Sequence, residues 1–289
     1  MKRDLMRWSV VRGVRTELGE GPLWSPGRGS LFWVDILTHA VLEWTPGSSK
    51  ITHYPMPDLV AWIIECRSGN RFIVGLGNGI AEIQLQSQEI KPLLHLEGIG
   101  TPTRVNDAKA NVLGSIFAGT MAIAADAPIG NFYRLDPTGE TVLLDTGYTI
   151  PNGPAFSNDG RLLYHTDSAR GVIFRFPVDD DGNLGPRSVF LEFPGSWGKP
   201  DGMTIDAEDH LWVAQWGCSC VSRISPSGKR VAAVMLPTPQ ITSCAFGGTE
   251  LNRLFVTSAA VGRPEDPYAG ALFELDVGVH GSPPFRFGR

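Results

Sequence analysis

Four short segments of the chain set a polar side chain beside a small loop: Glu20-Gly-Pro, Asn106-Asp-Ala, Asn152-Gly-Pro and Asp201-Gly-Met. An apolar or small residue follows four positions on in each (Trp24, Ala110, Phe156 and Ile205), and a turn and an apolar strand come next. A fold that gathers these segments would put two carboxylates and two carboxamides into one small space. Such groups repel or go unpaired unless something satisfies them, and a divalent cation does so directly. An all-oxygen donor set, with no cysteine and no convergent histidine, favours hard ions such as Ca2+, Mg2+ or Mn2+; Zn2+ or Fe2+ with open water positions also fits. Asn-Gly and Asp-Gly pairs form turns for backbone reasons alone, so the chemistry depends on whether the fold makes the four positions converge.

The elements that would gather them are visible as a repeat. Six segments share a turn followed by a short apolar strand, anchored on Phe32, Phe72, Ile116, Leu163, Trp212 and Leu254, with spacings of 40, 44, 47, 49 and 42 residues. Most are followed by further alternating strands, as in Asn131-Phe-Tyr-Arg-Leu-Asp-Pro-Thr-Gly-Glu-Thr-Val-Leu-Leu144, where a turn interrupts the alternation. With 34 glycines and 22 prolines among 289 residues, the chain is rich in turns. Six units, each able to supply four strands, predict an all-β fold: a six-bladed β-propeller of four-stranded antiparallel blades spanning 1–289 as one domain. The stretch Leu5 to Thr16 reads as a strand that completes the final blade and closes the ring. A β-sandwich or a two-domain all-β protein is the competing arrangement. In a propeller, equivalent positions surround one axis, and the two remaining repeats carry Val60 and Thr242 at the approximate equivalent of the polar residues.

Other features exclude function classes. The formal net charge is −5 and no run of five or more basic residues occurs, which argues against a nucleic-acid partner. No apolar stretch approaches the ~18 residues of a membrane span, and Arg7, Ser9 and Arg12 interrupt any apolar core of a secretory signal. Four cysteines, with Cys218 and Cys220 separated only by Ser219, do not form a disulfide framework and suit reduced thiols in the cytoplasm. No Gly-x-Ser-x-Gly elbow surrounds Ser168 or Ser196, which leaves a serine-hydrolase route without its usual setting. His165 reads as a structural histidine beneath a site, Trp62 as a candidate wall for a ligand ring, and Asp179-Asp-Asp-Gly-Asn183 as a solvated acidic turn that lacks the later glutamate of a calcium loop.

Taken in order, Leu18-Gly-Glu-Gly-Pro-Leu-Trp24, Arg104-Val-Asn-Asp107, Phe117-Ala-Gly-Thr-Met121, Ile150-Pro-Asn-Gly-Pro154, Tyr164-His-Thr-Asp167, Pro200-Asp-Gly-Met203 and Leu211-Trp-Val-Ala214 resemble the SMP-30/gluconolactonase/regucalcin family of six-bladed propellers over most of the chain. The segments around Tyr164 and Pro237 look closer to bacterial pentonolactonases than to animal regucalcins. The resemblance implies metal-dependent hydrolysis of aldonolactones to aldonic acids in pentose or hexose oxidation, with one divalent ion (Ca, Zn, Fe, Mn or Mg). By resemblance, Glu20, Asn152 and Asp201 match the metal ligands, Asp201 also the general base, and Arg104 and Asn106 the substrate contacts. Regucalcin-like members carry an acidic residue two positions after Gly-Thr-Met, where this chain has Ile123; this predicts a missing acceptor for a sugar hydroxyl. A small-molecule lactone is then the partner, and a monomer suffices. A non-catalytic calcium- or partner-binding propeller, and another ester or organophosphate hydrolase on the same scaffold, stand as alternatives.

Overall fold

The computed structural model describes residues 7–96 and 102–288. Its strands fall into six four-stranded antiparallel sheets arranged as the blades of a propeller. The innermost strands are Gly19–Ser25, Val60–Glu65, Thr103–Ala110, Pro151–Phe156, Lys199–Ile205 and Ile241–Gly247, one in each of blades 1 to 6. All six anchor residues lie on the second strands, and each is fully buried. Alternation in these strands puts one set of side chains into the gap towards each neighbouring blade, so both faces are apolar and the cores run continuously between blades.

The ring closes as the N-terminal pattern predicts. Arg7–Val10 pairs antiparallel with Phe273–Asp276 as the outermost strand of blade 6, and Thr16 N–H donates to the Gly270 carbonyl at 2.8 Å. Residues 5 and 6 of the expected strand lie outside the described residues. Closure removes the free edge that an open ring of sheets would present.

Every innermost strand contains one extra residue relative to its partner. In blades 1, 3, 4 and 5 two residues oppose one: Gly21-Pro22 opposite Trp33, Asn106-Asp107 opposite Gly119, Gly153-Pro154 opposite His165, and Asp201-Gly202 opposite Ala214. Blades 2 and 6 shift between Val60 and Trp62 and between Ile241 and Ser243. Such bulges bend the strand and re-aim its side chains.

The far end of the channel is covered by a C-terminal strap that the repeat did not reveal. Phe285 packs into the blade cores. The Phe287 N–H donates to Glu65 at 2.9 Å and the Gly288 N–H to Gly114 at 3.1 Å. Ser282 to Phe285 line a chamber shared with Trp24, Trp62 and Phe246. Among the described residues no helix is long and apolar enough to cross a membrane, and all four cysteines are free.

His165 is fully buried, stacked on Phe132 at 3.8 Å and beside Tyr148 at 4.7 Å. It packs as a structural residue, but not through the hydrogen bonds expected of it: among the described residues neither ring nitrogen has a partner. Burial, then the nearby Arg187 charge, push its pKa down to about 3. Because the unfolded chain binds the proton first, its contribution is complete above the unfolded value near 6.5 and is lost as pH falls towards 3. The variant His165→Phe should therefore gain about 1 kcal/mol relative to wild type between pH 7 and pH 5.5 in urea unfolding, from the linkage of one proton; an unchanged difference would contradict the buried neutral imidazole.

Candidate active site in the central channel

The six innermost strands all begin at one end of the channel, and the bulges lie just inside that end. Glu20, Arg104, Asn106, Asn152 and Asp201, drawn from blades 1, 3, 4 and 5, line a single pocket of about 280 Å3. The five residues picked out by the sequence are thus brought together. Their equivalence is not quite the one the repeat suggested. Glu20 and Asn152 pair with the second strand just before the bulge, whereas Asn106 and Asp201 are the first residues within it. In a regular strand adjacent positions point to opposite faces; the extra residue lets both phases face one pocket.

The glycines of the motifs have a packing reason beyond turn formation. Gly153 has φ +48°, and a Cβ there would lie 2.8 Å from the Asp201 carbonyl oxygen. A Cβ at Gly202 would lie 2.5 Å from Ser243 Cβ. The bulges of blades 4 and 5 touch backbone to backbone, and Gly202 lies against Ser243 of blade 6; side chains 49 positions apart, Asn152 and Asp201, thereby share a pocket.

The electrostatics are strained. Burial, then Asp201, then Asp107 hold the Glu20 carboxyl well above the ordinary glutamate range. Burial, then Asp107, do the same for Asp201. Arg104 supplies the opposing charge; burial lowers it to about 10 even though Glu20 and Asp201 pull it up. Asp201 is 7% exposed, and its Oδ1 has no hydrogen-bond donor. Asn106 gives both hydrogens of Nδ2 away, to the Pro151 carbonyl and to Asn152 Oδ1, each at 2.7 Å, so only its Oδ1 remains to offer. The donors left at the pocket floor are therefore oxygens, two of them on carboxylates that burial disfavours in the charged form. Two carboxylates and carboxamide oxygens fit a hard divalent ion, although among the described residues no three His, Cys, Asp or Glu side chains form a metal cluster by themselves.

Asp107 turns away from this pocket. It lines the chamber on the strap side, and its Oδ2 accepts the Gly153 N–H at 2.7 Å, pinning the bulge beside Asn152. Two further aspartates act one strand out. Asp35 accepts the Glu17 and Leu18 N–H groups at 2.8 and 3.0 Å, and Asp167 accepts those of Thr149 and Ile150 at 3.1 and 3.4 Å. Each end of a second strand thereby clamps the loop that leads into Glu20 or Asn152. The sequence carries a signal for it in the shared terminal Asp of Phe-Trp-Val-Asp35 and Tyr-His-Thr-Asp167, which lies outside the polar-Gly motif.

Two expectations are corrected. Ile123 is 52% exposed and does not line the pocket; Met121 and Ala125 do, because the chain turns at Ala125 with φ +56°. Trp62 is buried in the strap-side chamber rather than walling the site, and Trp216 stands at the pocket instead. The Asp179 turn is a closed loop: Asp179 accepts the Asp181 and Asn183 N–H groups at 3.0 and 2.7 Å.

A six-bladed propeller with a polar, oxygen-rich pocket at the entry end of its inner strands is the class that fold and site define. The family model for the SMP-30/Gluconolactonase/LRE-like region matches residues 18–260, and the chain belongs to that family. It is 33% identical over 294 residues to a pentonolactonase of Haloferax volcanii, covering 96% of this chain and 98% of that one. It is 32% identical over 283 residues to a regucalcin of Danio rerio, covering 94% and 95%. Identity alone therefore does not set it nearer to pentonolactonases than to animal regucalcins. A solved structure described as a calcium-binding protein, regucalcin, from Agrobacterium tumefaciens matches with a TM-score of 0.92 at 28% identity over 98% of both chains.

Replacing Asp167 by Ala leaves two part-buried loop N–H groups without their acceptor, and hydrogen bonds to a charged group are worth about 1.5–3 kcal/mol each. Chemical denaturation should show a loss of about 2 kcal/mol or more; a loss below half of that would show the loop to be held by other contacts.

Proposed function

We propose that this protein hydrolyses sugar lactones to aldonic acids with the help of a divalent cation held by Glu20, Asn152 and Asp201. The observation that carries the reading is the convergence of those three side chains, with Arg104 and Asn106, on one pocket whose remaining donors are oxygens. The Haloferax volcanii relative, named a pentonolactonase, supports an aldonolactone as substrate.

When bound, the cation supplies Lewis-acid polarisation of the ester carbonyl and a counter-charge for the oxyanion. Asp201, whose Oδ1 has no donor partner, takes the proton of the attacking water and returns it to the ring oxygen that leaves. The Arg104 guanidinium, with one N–H on the Val105 carbonyl at 3.0 Å, keeps donors for the oxygens of the substrate or the new carboxylate. Asn106 Oδ1 accepts a substrate hydroxyl. Met121, Ala125 and Ile150 contribute apolar lining to the pocket, and Trp216 and Lys199 line it too, so Lys199 is a further donor for a substrate hydroxyl or the new carboxylate.

A pH-stat assay over a panel of five- and six-membered aldonolactones tests the reading. Activity should vanish with chelator and return with one of Ca2+, Mn2+, Mg2+, Fe2+ or Zn2+. In Asp201→Asn turnover should drop by about 10^2-fold or more, the usual contribution of a general base, with the fold retained. Full activity in the presence of chelator, or near wild-type rates in Asp201→Asn, would refute it; metal binding without turnover on any lactone would favour the non-catalytic calcium-binding reading.

A further inference from the structure

Ser168 lies at the pocket beside Asn152 but outside every motif that pointed to the site. It is 5% exposed. Its Oγ is 2.6 Å from the Pro200 carbonyl oxygen and 2.9 Å from Asn152 Nδ2. A serine hydroxyl has one hydrogen. The Pro200 carbonyl can only accept, so that hydrogen goes to it and the lone pairs of Ser168 Oγ face Asn152. The Asn152 atom on that side must then be the amide nitrogen. The reverse orientation would set an oxygen against an oxygen with no hydrogen between them. Its Oδ1 is thereby turned the other way, where Asn106 Nδ2 meets it at 2.7 Å, and the orientation of Asn106 is fixed in turn by the Pro151 carbonyl. Two backbone carbonyls thus dictate the polarity of both carboxamides, and the Pro200 carbonyl belongs to the residue just before Asp201.

We infer that Ser168 is a positioning residue that, with Asn106 holding the opposite end, fixes the polarity and place of the Asn152 carboxamide at the cation site and ties its blade to the strand that carries Asp201. The inference rests on the proposed metal site and adds to it a residue that acts through Asn152. It also explains why this buried serine is not set up as a nucleophile: its only hydrogen is committed to a backbone carbonyl, and among the described residues no basic side chain is hydrogen-bonded to it. Partners that orient metal ligands are typically worth 10- to 100-fold in affinity.

The test is calorimetric titration of chelator-stripped protein with Mn2+ alone. Ser168→Ala should weaken Mn2+ binding by about 10-fold or more while its unfolding midpoint without metal stays near that of wild type. Ser168→Cys, which keeps the volume with a weaker donor, should fall between and serves if the alanine variant folds poorly. The deciding comparison uses Asn152→Asp, in which oxygens occupy both ends of the side chain and there is no polarity to set. In that background Ser168→Ala should cost no affinity. An equal loss in both backgrounds would reduce Ser168 to a structural contact, and unchanged affinity in Ser168→Ala alone would overturn the inference. Wild-type protein that binds no Mn2+ would instead overturn the metal site itself, and the inference with it.

Discussion

The constraint on which the rest depends is charge. Glu20, Asp107 and Asp201 are crowded at the waist of the channel, each held above its ordinary carboxylate range first by burial. Arg104 meets two of them and Lys109 offsets Asp107, which leaves the layer short of positive charge. Removing ions from water costs several kcal/mol each after relaxation, and a sequence free to vary would relieve the crowding by exchanging one carboxylate for an apolar residue. In the proposed function a cation would complete the layer, and the same charges that strain the protein alone would bind that ion.

The architecture serves this layer. Bulges place an extra residue at the same depth in all six inner strands, so side chains from two neighbouring phases reach one pocket. Glycines let the bulges of adjacent blades touch. Asp35 and Asp167 clamp the loops leading to the first and fourth blades, and Asp107 pins the fourth from below. The strap lines the chamber at the far end of the inner strands, away from the pocket that holds Glu20, Asn152 and Asp201. Each device limits motion of a polar group that would otherwise drift to its own hydrogen-bonding optimum, which is what preorganisation of a charged site requires.

Much of this was legible in the residues. The spacing of Phe32, Phe72, Ile116, Leu163, Trp212 and Leu254 carried the blade count, because a fully buried second strand tolerates little else. Glu20, Asn152 and Asp201 were legible because each stands before a glycine or next to the bulge that needs one. The off-by-one phase of Asn106 and Asp201 was not, since a bulge changes which face a residue shows without changing residue type. Ser168, Asp35 and Asp167 act through single hydrogen bonds to backbone groups of other segments, and composition records nothing of such pairings. The strap is illegible for a related reason: residues 281–288 join blades by backbone bonds and two aromatics, Phe285 and Phe287, with no periodicity to announce them. Ile123 and Trp62 were placed by linear counting, which a left-handed residue at Ala125 and strand alternation respectively undo.

The most direct measurement is an anomalous-difference map from crystals soaked in Mn2+. The account predicts one strong peak in the channel bonded by carboxylate oxygens of Glu20 and Asp201 and by the carboxamide oxygen of Asn152. A channel with no peak, or a peak held by other residues while these three make contacts only among themselves, would contradict it.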